Sequence, residues 1–105
     1  MPKILYIVDA QNDFMLSDGK LSVPGADKII GPMNEFISKL NPSEYAGVVF
    51  SRDTHRTEEE AAEGQGFPPH CMEGTTGWEL AVDSDEVPSR IPIYFINKNY
   101  FDVWK

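Results

Sequence analysis

Asp53-Thr54-His55 sets a carboxylate and an imidazole two residues apart, which places both on one side of an extended segment. His70 follows after a long polar stretch, and Pro68-Pro69 immediately before it stiffens its approach. One carboxylate and two imidazoles suit zinc, iron or manganese with positions left open for water or substrate, and Glu63 adds a fourth donor. On spacing alone a plainer reading stays open, in which Asp53 caps a turn and both histidines lie in a solvated loop. Both histidines of the chain nevertheless fall in this one segment. Asp9 and Lys98 are the other reactive pair. An Asp at a partly buried strand end can act as a general base if a nucleophile lies within hydrogen-bond reach. A neighbouring lysine holds that carboxylate ionised and stabilises developing negative charge. A structural ion pair fits the same two residues equally well. Cys71 is the one thiol. Next to His70 its side chain should point away from the cleft that His70 enters, so it reads as structural. Phe14, Phe67 and Trp78 lie near the expected cleft; each reads first as core, although Phe14, close after Asp9, could stack on a flat ring.

These groups share a position in the chain's architecture. Ile4 to Val8 is a continuous apolar run rich in β-branched residues, the pattern of a strand buried on both faces, and Asp9 follows it. Tyr45 to Phe50 predicts a second strand, with Asp53 and His55 beyond its end, and Ile91 to Ile96 a third, with Lys98 beyond it. Residues 10–24 read as a loop with turn signals at Ser17-Asp18-Gly19 and Pro24-Gly25. From Ala26 to Leu40 the apolar residues recur at helical spacing; Gly31-Pro32 predicts a kink or late start, and Asn41-Pro42 the end. Residues 51–78 read as a long loop, either functional or disordered, in which a short helix over Thr76 to Val82 is compatible with the sequence. Strand, helix and strands in this order predict an α/β fold, a parallel sheet with flanking helices. Such sheets bind ligands beyond the carboxyl ends of their strands, where Asp9, Asp53, His55 and Lys98 all fall. Three strands make a thin sheet, leaving an apolar strand at an open edge that invites association.

At 105 residues there is room for one small domain. A net charge of −8, spread along the chain, argues against nucleic-acid binding, which needs clustered Lys and Arg. No apolar run approaches the roughly 20 residues that span a bilayer. The first apolar run is too short for a secretory signal, and a lone cysteine agrees with a reducing compartment, so the cytoplasm is the expected location.

Ile7-Val8-Asp9-Ala10-Gln11-Asn12-Asp13-Phe14 resembles the opening motif of the isochorismatase-like cysteine hydrolases. Val23-Pro24-Gly25-Ala26, Ser51-Arg52-Asp53-Thr54-His55, Phe67-Pro68-Pro69-His70-Cys71 and Gly74-Thr75-Thr76-Gly77 continue the likeness in order, and it runs on through Asn97-Lys98-Asn99-Tyr100-Phe101-Asp102-Val103. The resemblance implies an Asp-Lys-Cys triad, with Asp9 and Lys98 in its first two positions. Its nicotinamidase (pyrazinamidase) branch holds a divalent metal, with zinc expected first and iron or manganese as alternatives. The residues matching those ligands are Asp53, His55 and His70, with Glu63 as a further ligand. The isochorismatase branch generally lacks this set, which favours nicotinamidase. Phe14 matches an aromatic that flanks the substrate ring. The implied reaction, one of NAD salvage, converts nicotinamide or a similar small amide to the acid and ammonia through a thioester. The family nucleophile belongs to a later strand-to-helix turn, past the region matching Lys98, and the oxyanion donors come from that same turn. Residues 1–105 are therefore expected to be one partial, amino-terminal domain, inactive alone. Cys71 matches a non-catalytic family cysteine. Two alternatives stand beside this reading. One is another amide or carbamoyl hydrolase of the superfamily; the other is a non-catalytic metal-binding fragment that joins a second chain or its own copy through an open sheet edge.

Overall fold

A computed structural model describes residues 2–98. Its three strands, β1 (Lys3–Val8), β2 (Tyr45–Asp53) and β3 (Ile93–Lys98), form one parallel sheet with β2 in the centre. The register pairs Val8 with Ser51 and Asp53 with Lys98, so the carboxyl ends of all three strands meet at one rim. Asn99-Tyr100-Phe101-Asp102-Val103 lie outside the described residues.

The long amphipathic segment starts late, as its Gly31-Pro32 step predicts. A 3-10 turn over Ala26–Ile29 leads into helix α2 (Ile30–Ser38), whose first turn contains Pro32 where a missing N–H costs nothing. The turn entering it is of type II: Ala26 N–H donates to Val23 O at 3.0 Å, and Gly25 takes φ 85° and ψ −8°, a conformation glycine alone adopts without strain. Ile37 of α2, with Leu40, packs with Ile7 of β1, Val48 and Phe50 of β2, and Val82, Val87 and Ile91 from the segment entering β3.

Several expectations need correction. β1 is buried on one face only: Ile4, Tyr6 and Val8 are 57, 48 and 63 % exposed, because among the described residues nothing packs on that side. Strand alternation puts Tyr94 and Ile96 of β3, also exposed, on the same side. β2 runs on past Phe50 to Asp53: β1 pairs with it as far as Ser51, and β3 pairs with it as far as Asp53. β3 begins two residues later than expected. Pro92 has no N–H to give the ladder, and Ile91 sits buried in the preceding turn. Two stretches read as loop hold short helices, α1 (Asn12–Met15) and α3 (Glu58–Ala62). Over Thr76 to Val82 only a 3-10 turn, Thr76–Trp78, forms.

Candidate active site and metal centre

β1 releases the chain at Val8, and Asp9 turns out of the strand direction with φ 52°. Its N–H donates to the carbonyl and the hydroxyl of Ser51, each at 3.1 Å, which fixes the turn. Ser51 Oγ then donates to Asp9 Oδ1 at 2.7 Å, and Lys98 Nζ donates to Oδ2 at 2.7 Å. The sequence-predicted pair is thus brought together from the two outer strands, across β2. Partial burial pulls the Lys98 ammonium towards a lower pKa; the hydrogen bond and charge of Asp9, backed by Asp53, outweigh it and leave the pKa raised. Ser51 was missed by sequence reasoning. Its signal is the register, which sets it beside the end of β1.

The second group forms where β2 ends. Asp53 closes the strand, and His55 follows on an extended segment held to the His70 loop: His55 N–H donates to Cys71 O at 3.0 Å, and Glu73 N–H to His55 O at 2.8 Å. His70 arrives through Pro68-Pro69. Glu63 is delivered by the end of α3, a helix whose acidic first turn Thr57 caps by accepting from Glu60 N–H at 3.1 Å. Both imidazoles are fully buried. His55 Nε2 lies 2.9 Å from Asp53 Oδ2 and 3.6 Å from Glu63 Oε2; His70 Nε2 lies 3.4 and 3.2 Å from the same two atoms. One donor atom from each of the four residues lies within 4.8 Å of every other.

That donor set fits a divalent cation. His70 Nδ1 lies 2.8 Å from Pro68 O, and a carbonyl only accepts, so Nδ1 carries a proton and Nε2 is the ring atom turned towards the two carboxylates, where it can serve as a ligand. Two imidazole nitrogens and two carboxylates converging on one point form a pocket suited to a positive ion. A tetrahedron with zinc-ligand bonds of about 2.0–2.1 Å has edges of roughly 3.3 Å, and the four carboxylate–imidazole separations lie on either side of that value. His55 Nδ1 is buried without a hydrogen-bond partner among the described residues, so on this ring only Nε2 is engaged.

Phe14, on α1, stands edge-on to His70 with ring centroids 5.6 Å apart, and Phe67 closes another side at 6.1 Å. Trp78 does not join them. Its ring lies 4.4 Å from the Arg52 guanidinium, and its Nε1–H donates to Thr54 Oγ1. Cys71 is fully buried, and its N–H donates to Asp13 Oδ2 at 2.8 Å. Burial, reinforced by the carboxylates of Asp53, Asp13, Asp9 and Glu63, drives its thiol pKa strongly upward, which suits an inert thiol. Asp9, Glu63 and Cys71 are the non-glycine residues with left-handed backbone among those described, and all three are at this rim. Each such conformation costs about 1–2 kcal/mol, and strain of this kind gathers at functional sites.

The isochorismatase domain pattern matches residues 3–105. Over 86 residues the chain is 37% identical to an isochorismatase-family protein of Bacillus subtilis, covering 76% of this chain and 44% of that one. Over 88 residues it is 31% identical to the nicotinamidase/pyrazinamidase of Mycobacterium tuberculosis, covering 79% and 46%. The fold superposes on the crystal structure of the pyrazinamidase of Pyrococcus horikoshii in complex with zinc with a TM-score of 0.70 and 34% identity, covering 93% of this chain and 54% of that one. The chain spans about half the length of the curated relatives it matches.

Proposed function

We propose, from the premise that this chain belongs to the isochorismatase family, that it carries the metal centre and general base of a nicotinamidase-type amidohydrolase. The observation that carries this reading is the meeting, at one sheet rim, of the Asp9–Lys98 pair with the Asp53, His55, Glu63 and His70 cluster. The name of the Mycobacterium tuberculosis relative and the zinc in the Pyrococcus horikoshii structure support it. Zinc is the proposed ion, since two imidazoles with two carboxylates are within its usual donor range. The chemistry it supplies is Lewis-acid anchoring of a donor atom on the substrate, here the ring nitrogen of a nicotinamide-like amide.

The remaining work falls to side chains of this chain. Phe14 flanks the substrate ring. Asp9 takes the proton of an attacking thiol while Lys98 keeps the carboxylate ionised and steadies negative charge as it develops. The sulfur bonds to the amide carbon, the C–N bond breaks, and the proton departs with nitrogen as ammonia. Water then cleaves the thioester, giving the acid and restoring the thiol. Cys71 is not assigned as that thiol: it is fully buried, and its backbone is tied to Asp13. On this reading the nucleophile is supplied from outside residues 2–98; that the chain spans about half the length of its relatives supports this. Zinc titration of the purified 105-residue chain, paired with an ammonia-release assay on nicotinamide, tests the proposal. One zinc per chain, lost in His55→Ala and His70→Ala, with no ammonia released, is expected. A wild-type chain that binds no zinc, or ammonia release that survives Cys71→Ala, overturns it.

A further inference from the structure

We infer that Gln11 is a positioning residue for the metal centre: its side-chain amide substitutes for a missing strand and fixes the backbone that carries Asp53. The inference rests on the metal reading above and extends it to a residue that touches neither the cluster's donor atoms nor a substrate. Pairing between β1 and β2 stops at Val8 and Ser51, yet β2 continues for two more residues. Along a parallel strand, alternate residues present both backbone groups to the same neighbour. Ser51 O accepts from Asp9 N–H, so the N–H and C=O of Asp53 also face the space that β1 has vacated. Gln11 fills that space. Its Oε1 accepts from Asp53 N–H at 2.8 Å, and its Nε2 donates to Asp53 O at 2.9 Å and to Trp78 O at 2.7 Å.

The chemistry of the amide explains the choice of residue. Only Asn and Gln place one acceptor and two donors on a single planar group, as a pairing peptide does, and Gln has the longer reach. The side chain is fully buried, so none of the three bonds has water as a substitute. Its backbone ties the same residue to the rest of the rim. Gln11 N–H donates to Asp9 O at 2.8 Å, and Gln11 O accepts from Phe14 and Met15 as α1 begins. One residue thus ties Asp53 and the Thr76–Trp78 turn, through its side chain, to Asp9 and the start of α1, through its backbone.

Partners that orient metal ligands typically cost 10–100-fold in metal affinity when removed. Zinc affinity of the purified chain, measured against a competing chelator, and visible absorption of the cobalt-loaded chain are the readouts, each taken below the variant's unfolding transition. Gln11→Met keeps the bulk and removes all three bonds; Gln11→Glu keeps the shape and turns an acceptor towards Asp53 O and Trp78 O. Ile37→Ala, a core truncation away from the rim, controls for general destabilisation. Both Gln11 variants are expected to bind zinc 10–100-fold more weakly with altered cobalt bands, while Ile37→Ala keeps wild-type affinity and bands. Wild-type affinity and bands in Gln11→Met overturn the inference, as does an equal loss in Ile37→Ala. If the wild-type chain itself binds neither ion, the metal reading fails, and this one with it.

Discussion

Asp9 has both carboxylate oxygens engaged, one by Ser51 and one by Lys98, and its backbone is held in a left-handed turn. That arrangement gives the proposed base a fixed orientation and a pH signature. Folding raises the Lys98 pKa, so the native state holds that proton more tightly than the unfolded chain does. The stability this confers is complete below the ordinary lysine value of 10.5 and is lost as pH rises through the elevated native value. Wild type should therefore melt above Lys98→Met by a constant margin from neutral pH to about 10, with the margin shrinking at higher pH. A margin that stays flat through strongly alkaline pH would show that the ion pair confers no such linkage. Cys71 gives a second residue-scale prediction. A buried thiol with suppressed ionisation should resist aromatic disulfide reagents in the native chain and react only as fast as the chain unfolds. Rapid stoichiometric labelling under native conditions would contradict the burial described above and reopen Cys71 as a nucleophile.

The two short elements that shape the rim, α1 and the Thr76–Trp78 turn, are clasped to each other. Asn12 N–H donates to Glu79 O and Asn12 Nδ2 to Thr76 O, each at 2.9 Å, while Asp13 reaches across to Cys71 N–H. Gly77 lies directly against the Asp13 carboxylate, and a Cβ there would overlap it. Gly77→Ala should cost about 1–3 kcal/mol, the usual penalty of overpacking, read from urea unfolding. It should also weaken zinc binding, because Asp13 holds the residue next to His70. Unchanged stability would mean that the clasp yields without strain. This level of organisation is the least legible in the sequence. The β-branched runs announced three strands, and the reactive residues past their ends announced the rim, because a strand's carboxyl end is a position in sequence as much as in space. Pro24-Gly25 announced its turn for a similar local reason. Helices α1 and α3 span four and five residues, too few for an apolar period to show. Gln11, Asp13 and Ser51 carry no local signal, because their partners lie about 40 to 70 residues away in sequence, and nothing nearby distinguishes a polar residue that clamps a backbone from one that faces water.

At the scale of the whole molecule, the sheet has a covered side and an open one among the described residues. α2 and the segment before β3 cover Ile7, Val48 and Phe50, whereas Tyr6, Val8, Tyr94 and Ile96 present an apolar row to solvent across strands held in register. Beside it, along the outer edge of β1, runs a groove of about 530 Å³ lined by Tyr6, Val8, Met33 and Phe36 among others. Open apolar faces and unpaired strand edges favour association, while a net charge of −8 opposes contact between copies. The balance between them depends on salt, because screening weakens the repulsion and leaves the apolar attraction intact. Sedimentation velocity should accordingly show reversible self-association of the purified chain that grows with protein concentration and with added sodium chloride. Val8→Lys combined with Ile96→Lys puts cations into the middle of the row and should shift the chain towards monomer. Zinc affinity should be retained, since neither side chain contributes a donor to the cluster. Two results would count against the argument: a wild-type chain that is monomeric at every salt and concentration, or a double variant that associates as the wild type does.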